Sequence, residues 1–326
     1  MPEVATKHLQ FVAESEWGTI VTAATHRFQG LTNINLDIDE GIQGSAQLGN
    51  MGAPTMMTEV YQEPAGSLDC EASYEDLMYL LHSLFGAGTK TQTTAPFTWT
   101  YPAPLQAAAT PFKQSAQIGM PGFSYNVGGF LLNKLTIKGE AKGMWTASTD
   151  FIAKTALKAV QTTLADTTVN GIRMADSIFS VDTWAGTIGT TPAPITLRSF
   201  ELSIDAKRHT KFFAGGLGPL SHGCQRWEVE LKTTVELNAM SAGWVDAMLA
   251  PAMQQKQIQI KATSGAAAAL KSATINFAGV LSGKVGPVGA DADGNATMDL
   301  TWKAQYNSTL TNYLIIILQN ALTALV

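Results

Sequence analysis

The sequence predicts an all-β protein with short helices, built as two tandem antiparallel units, most simply sandwiches or small barrels, residues 1–165 and 166–326, each with one short helix. Three observations predict it. Apolar and polar residues alternate with period two along several segments, which marks strands with one dry and one wet face. Gly- and Pro-containing turns separate these segments, as in antiparallel sheets. The order of segments also recurs about half a chain apart: Gly18-Thr19-Ile20 returns as Gly186-Thr187-Ile188, 168 positions later.

The elements follow in order. After the first Gly-Thr-Ile, Ile34, Leu36 and Ile38 alternate with Asn33, Asn35, Asp37 and Asp39. At the same shift Phe200, Leu202 and Ile204 alternate with Glu201, Ser203 and Asp205, so that Ile34 falls on Leu202 and Asp37 on Asp205. Next, Leu68, Cys70, Ala72 and Tyr74 alternate with Ser67, Asp69, Glu71 and Ser73. The spacing then turns helical through Leu77, Leu80, Leu81 and Leu84 and stops at Gly86 and Gly88. The second half repeats this. Trp227, Val229, Leu231, Val235 and Leu237 alternate with Glu228, Glu230, Lys232, Thr234 and Glu236. A short helix around Trp244, Val245, Met248 and Leu249 follows, ended by Pro251. The helices align at the common shift, whereas these strands need a slip of a few residues. Strands are also expected in 133–153, 272–285 and 296–306, and a polar, turn-rich boundary in 161–171. Two long stretches, 95–112 and 212–223, read as loops of the kind that contact partners. The terminal 312–326 reads as a strand-to-helix finish packed on its own unit.

Composition narrows the function. The chain has 326 residues, 45% hydrophobic and only 14% charged; at roughly 150 residues per domain this allows two cores. The charged share is low against the usual value of about 25%, which points to surface covered by partners. A net charge of −5 argues against a surface that grips nucleic acid through its phosphates. Cys70 and Cys224 form no C-x-x-C pattern and read as two thiols in a reducing compartment. The N-terminus lacks the apolar core of a signal peptide, and the apolar run at 313–318 is far shorter than the ~20 residues of a spanning helix. Synthesis in the cytoplasm without membrane insertion is expected.

No catalytic set emerges, and neither a cofactor nor a metal is expected. The histidines (His8, His26, His82, His209, His222) are scattered, and His82 reads as a boundary residue. His222 and Cys224 are two ligands where a metal site needs more. The GAGTKT run at 86–91 lacks a phosphate loop's adjacent Gly-Lys-Ser/Thr and ends a helix instead. The run at 291–299 has Asp291, Asp293 and Asn295 at calcium-loop spacing but Trp302 at the twelfth position, so a hairpin turn at Asp293-Gly294 is preferred. Glu14 and Glu16, near Trp17, read as solvated surface. What stands out is the wet strand faces: Asp37, Asp39, Asp69 and Glu71 in the first half, Asp205, Glu228, Glu230 and Glu236 in the second, with Lys232 the one base among those strand positions.

The opening FVAESEWGTIVTAATHRF with its Glu14-x-x-x-Gly18-Thr19, the strand TNINLDID, the strand-helix GSLDCEASYEDLMYLLHSLFGAG and the later NKLTIKGEAKGMWTASTDF together resemble the tail tube (major tail) proteins of long-tailed bacteriophages. The second half, from LRSFELSID onward, is similar in style. The resemblance implies a β-sandwich or half-barrel with a flanking helix, six of which form a ring whose inner strands join into one barrel. Rings stack into a hollow tube through which double-stranded DNA leaves the capsid without specific binding. A chain carrying two units, where many members carry one, needs only three copies for a pseudo-sixfold ring. The implied partners are further copies of the chain and the tape measure, tail tip and tail terminator proteins, in the virion tail. On this reading the eight acidic residues line the channel, and Phe97, Trp99, Tyr101 and Phe112, with the termini, mediate ring-to-ring contact. The same strands fit a glycan- or receptor-binding double sandwich of a phage tail or decoration protein, and the tube of a contractile injection machine; a hydrolase lacks a converging residue set.

Overall fold

The structure is a computed structural model that describes residues 7–22, 24–44, 52–54, 56–107, 110–120, 122–160, 162–249, 254–266, 269–282, 289–290 and 294–324. It is all-β with two short helices. The first half runs β1 (His8–Ala13), β2 (His26–Arg27), β3 (Leu31–Gly44), β4 (Met57–Glu71), α1 (Asp76–Phe85), β5 (Thr89–Lys90), β6 (Phe97–Pro102), β7 (Gln114–Met120), β8 (Phe123–Glu140), β9 (Thr146–Ile152) and β10 (Thr155–Ala159). The second runs β11 (Ser177–Thr183), β12 (Leu197–Asp205), β13 (Arg208–Lys211), β14 (Ser221–Cys224), β15 (Glu228–Glu236), α2 (Ala239–Leu249), β16 (Gln255–Ser264), β17 (Lys271–Leu281), β18 (Gly289–Ala290), β19 (Ala296–Ala304) and β20 (Leu314–Asn320).

Seven strands of each half pair in the same order. In the first, β1 pairs with β7, β7 with β8, β8 with β9, β9 with β4 and β4 with β3, and β10 lies beside the first part of β8. In the second, β11 pairs with β16, β16 with β17, β17 with β19, β19 with β15 and β15 with β12, and β20 lies beside the first part of β17. All these pairs are antiparallel, as the short turns and period-two patterns require.

Two seams join the halves. The far half of β8 pairs with β12 from Lys134↔Asp205 to Glu140↔Ser199. The last strand, β20, pairs with β6 from Pro102↔Ile315 to Phe97↔Asn320. The first seam is tight on its dry side. A Cβ on Gly139 would stand 2.4 Å from the Phe200 ring, which in turn meets Trp145 edge-on at 4.9 Å, so glycine makes room where the sheet crosses from one half to the other. Leu135, Ile137, Leu202 and Ile204 are buried beside it, in a core continuous from Leu9 to Leu318.

The helix α1 departs from the expected amphipathic form. All of its residues are buried, because strands and the β13–β14 hairpin enclose it. The Ser73 hydroxyl accepts the Asp76 N–H at 2.9 Å near its start, and Gly86 ends it with φ 92° and its N–H on the His82 carbonyl. Before α2, the Asn238 side chain accepts the N–H groups of Met240 and Ser241 at 3.0 and 3.1 Å, which satisfies two of the donors a helix start leaves unpaired. Two expected loops differ. Within 95–112 lies the strand β6, and 212–223 includes the turn and second strand of the β13–β14 hairpin. The terminal segment is the strand β20, and its described continuation to 324 is not helical. Pro251 and Asp291 to Asp293 lie outside the described residues, while β18 and β19 on either side of the latter pair as a hairpin.

Candidate functional site

The register of one sheet, in the order β3-β4-β9-β8-β12-β15-β19, brings all eight predicted acidic residues onto one face. Alternation puts Asp37 and Asp39 of β3 with Asp69 and Glu71 of β4, and across the seam Asp205 of β12 with Glu228, Glu230 and Glu236 of β15. All eight are exposed or half-buried. The opposite face carries Ile34, Leu68, Leu135, Leu202, Leu231 and Trp302, all buried.

The face is less uniformly acidic than expected. Lys134 and Lys138 of β8 and Lys303 of β19 share it, along with Glu63, Glu140, Asp150, Glu201 and Asp299. Applying the alternation rule to β8, β9 and β19 finds them in the sequence. The bases gather at the seam. Lys138 meets Glu201 at 2.9 Å, and Lys232 stands 3.5 Å from Glu201 and 3.6 Å from Glu230; the hydrogen bond from Lys138 holds the Glu201 carboxyl below its usual range. Glu228 pairs with Lys207, and Glu236 with Arg198 at 2.7 Å. A groove of about 1470 Å³ lies over this paired zone, lined by Lys134, Lys138, Glu201, Asp205 and Glu230 among others. The β3–β4 end differs, because residues 31–71 contain no Lys or Arg. There Asp37 accepts from Asn35 at 2.7 Å, Asp39 from the Tyr61 hydroxyl at 2.9 Å and Asp69 from Asn33 at 3.5 Å, so charge remains where polar neighbours alone satisfy the oxygens.

The run of strands from β3 to β19 has two open ends among the described residues. β3 is paired on one side only, and β18, which follows β17, is paired only with β19. The Ile34 carbonyl accepts from Lys7 Nζ at 3.2 Å. Because the N–H and C=O of one residue point to the same side of an antiparallel ladder, Ile34, Leu36 and Ile38 direct their backbone groups outward.

Three of the four aromatic residues expected at ring contacts lie on a strand and not on a loop. Phe97, Trp99 and Tyr101 are on β6 and buried; Phe112 is half-buried. Trp99, Tyr101 and Phe112 surround the His82 ring edge-on, with centroids 5.6, 5.2 and 5.5 Å away. In the single chain these side chains therefore present little surface. The reason is pairing: β6 lies against β20, with its dry face toward α1.

His82 is an interior residue and not a boundary one. It is 3% exposed, with Nδ1 2.7 Å from the Tyr101 hydroxyl and 3.1 Å from the Met78 carbonyl. Burial pushes its imidazole down to about 4 from 6.5. The folded-state value is depressed, so the neutral form is favoured. As pH falls below 6.5 the unfolded chain takes up a proton that the folded chain refuses until about 4. Stability is therefore full above this window and falls across it, by on the order of 3 kcal/mol. Urea unfolding at pH 7 and pH 4.5 should show this loss, and His82→Gln should flatten it. An unchanged slope in the variant would assign the loss to other groups, such as His8 and His222, whose values burial also lowers.

Among the described residues four carboxylates are buried that were not expected to be, Glu14, Glu75, Asp76 and Asp182. Glu14 is buried, in contrast to Glu16, which is exposed. Glu14 accepts the N–H groups of Gly18 and Gly129, both at 2.8 Å, and the Ser115 hydroxyl at 2.6 Å. Gly129 has φ 68° and its carbonyl takes the Trp17 indole N–H at 2.9 Å, so the Glu-x-x-x-Gly segment is a clamp between the end of β1 and the middle of β8. In the second half Asp182 accepts from the Gly189 and Thr191 N–H groups at 2.6 and 2.8 Å and from the Thr190 hydroxyl at 2.8 Å. Asp182 stands 168 positions after Glu14, the spacing of the two Gly-Thr-Ile triplets, and that coincidence was readable in the sequence.

Cys70 is buried, and burial pushes its thiol far up, which leaves it unreactive. Among the described residues no helix is long and apolar enough to cross a membrane. A family described as "Phage tail tube protein" matches residues 5–304. A search of curated proteins found no match.

Proposed function

The chain belongs to the phage tail tube proteins, and on that premise we propose that three copies close a pseudo-sixfold ring, that rings stack into a hollow tube, and that the charged sheet face lines the bore through which DNA is ejected. The β8–β12 seam carries this reading. It is a worked example, inside one chain, of how the sheet of one half continues into the sheet of the next. With the pairing orders alike, β3 occupies in the first half the place of β12, and β18, which follows β17 and pairs only with β19, that of the far end of β8. We take the halves, 1–165 and 166–326, to be duplicated units. Repeating the seam between chains sets β3 of one copy beside β18 in another. Closure into a barrel also covers the open edges of β3 and β18, which otherwise invite uncontrolled pairing.

Electron microscopy of the purified protein at rising concentration tests the reading. Hollow rods with three chains per annulus are expected; annuli of six chains, or single chains at every concentration, would overturn it.

The bore reading has its own test. Duplex DNA carries about one negative charge per 1.7 Å, so carboxylates without basic partners keep its passage loose. Asp37, Asp39, Asp69 and Glu71 form no ion pair among the described residues, unlike Glu228, Glu230 and Glu236. Replacing the first four with Lys is expected to leave tube assembly intact and to slow genome release. Virions carrying all four changes that eject DNA at the normal rate would remove these residues from the bore.

A further inference from the structure

The strand β4 outruns its partner on one side. β3 accompanies it from Met57 to Cys70, whereas β9 stops at Ile152, opposite Ala65. Residues 57–64 therefore present an edge on the β9 side. In an antiparallel ladder the N–H and C=O of one residue point the same way, and alternate residues share a side. The Pro64 carbonyl accepts the Ala153 N–H at 2.9 Å, so Pro64 and Gln62 turn their main-chain groups to this edge. Such an edge is a template for a strand from another molecule. The hazard is greater here because Ile42, Met57 and Val60 are exposed on the same ladder.

Two features close the edge next to the end of β9. Pro64 has no N–H to offer. The Gln62 N–H is taken, because it donates to the Leu217 carbonyl at 2.9 Å. Leu217 belongs to the turn of the β13–β14 hairpin, which crosses from the second half onto β4. The Thr210 hydroxyl donates to the Glu63 carboxylate, and Tyr61 meets Phe212 edge-on with centroids 5.9 Å apart. A Cβ on Gly218 would stand 3.2 Å from the Lys154 carbonyl oxygen, so glycine lets the turn lie close on the connection between β9 and β10. The root of the hairpin is fixed separately: buried Arg208 is bonded to the end of α1, and His222 meets Trp17 edge-on at 5.2 Å. The contacts of the turn with β4 are not needed to close the hairpin, since β13 and β14 pair with each other through four residue pairs.

We propose that the β13–β14 hairpin is an edge guard. Its turn occupies the stretch of β4 that β9 leaves unpaired, and so prevents another copy of the chain from adding a strand there. Pro64 protects one position by lacking a donor, and the guard protects the next outward position by using its donor up. The device acts against irregular association. It is separate from the ring reading, whose joining edges are β3 and β18.

The test replaces residues 213–219 with Asn-Gly, which favours a tight hairpin turn. This removes Leu217 and keeps Arg208 and the four pairs of β13 with β14. Sedimentation velocity and thioflavin fluorescence over a range of concentrations measure irregular association, with circular dichroism and urea unfolding as checks on the fold. The shortened variant is expected to form irregular, dye-binding aggregates at about tenfold lower concentration than the wild type, the scale of one or two uncovered backbone groups. T210V/F212S loosens the turn without shortening it and should lower the threshold by a smaller factor. Adding Gln62→Pro to the shortened variant removes the uncovered N–H and should return the threshold to the wild-type range, although proline restores none of the lost contacts. A shortened variant with the wild-type threshold would overturn the guard. So would aggregation that Gln62→Pro fails to suppress, because it would then arise from loosened folding and not from the β4 edge. The readout is dye-binding aggregate and not rods, so the comparison stands whether or not the wild type forms tubes.

Discussion

Replacing Arg208 with Ala should destabilise the chain by on the order of 3 kcal/mol or more. Arg208 is 5% exposed, and its guanidinium donates to three carbonyls: Nη1 to Ser83 at 2.8 Å and Leu132 at 2.8 Å, and Nη2 to Leu84 at 2.6 Å. Two of the three belong to the last turn of α1, where carbonyls lack intrahelical donors and the helix dipole favours a cation. Burial lowers the guanidinium to about 10, so it remains charged at neutral pH. Its removal strands three acceptors in the interior and leaves β13 held to the first half by the Arg208 N–H on Asn133 and by Thr210 on Glu63. Lys has no planar fork and cannot serve the three carbonyls together, so Arg208→Lys should fall between wild type and Ala. Chemical unfolding measures the loss, and amide hydrogen exchange should rise at the end of α1. An Ala variant within 1 kcal/mol of wild type would show that the carbonyls find water or other donors.

Placing proline at Ile38 should abolish assembly while sparing the fold. The outward-pointing N–H of Ile38 has no β4 partner, so its removal leaves the β3–β4 ladder intact. In the ring reading that N–H bonds to the neighbouring copy, and the ring of the proline also blocks close approach of a strand. Association should weaken by about a hundredfold or more, the scale of two lost backbone contacts. Ile38→Ala removes similar apolar area and keeps the N–H, so it should still assemble. Tubes formed by a folded Ile38→Pro protein would show that β3 is not a joining edge.

The local patterns were legible for a physical reason. A strand buried on one face must place an apolar residue at every second position, so Ile34, Leu202 and Leu231 announce the dry face and Asp37, Asp205 and Glu230 the wet one, wherever the strands later lie. Helix α1 was legible through its leucine spacing, but its complete enclosure was not, because enclosure depends on strands and a hairpin from distant parts of the chain. The aromatic run at 97–101 shows the limit. Its composition says that Phe97, Trp99 and Tyr101 need cover; whether cover comes from a neighbouring molecule or from the same chain depends on β20, more than two hundred residues later. Glu14 fails in the opposite way. A lone carboxylate beside Trp17 gives no sign of burial until Gly18, Ser115 and Gly129 bring three donors to it.

By itself the sequence determined the all-β class, the positions of both helices, which face of each named strand is charged, and the 168-residue echo between the halves. Only the tertiary structure decided that β8 continues into β12, that Lys134 and Lys138 meet Glu201 and Asp205 along that seam, and which edges remain open. Alternation is a property of neighbouring residues and survives any rearrangement of the strands. An edge partner is chosen among distant strands of similar pattern, by register, side-chain volume and charge summed over the whole sheet, and no short stretch of sequence carries that sum.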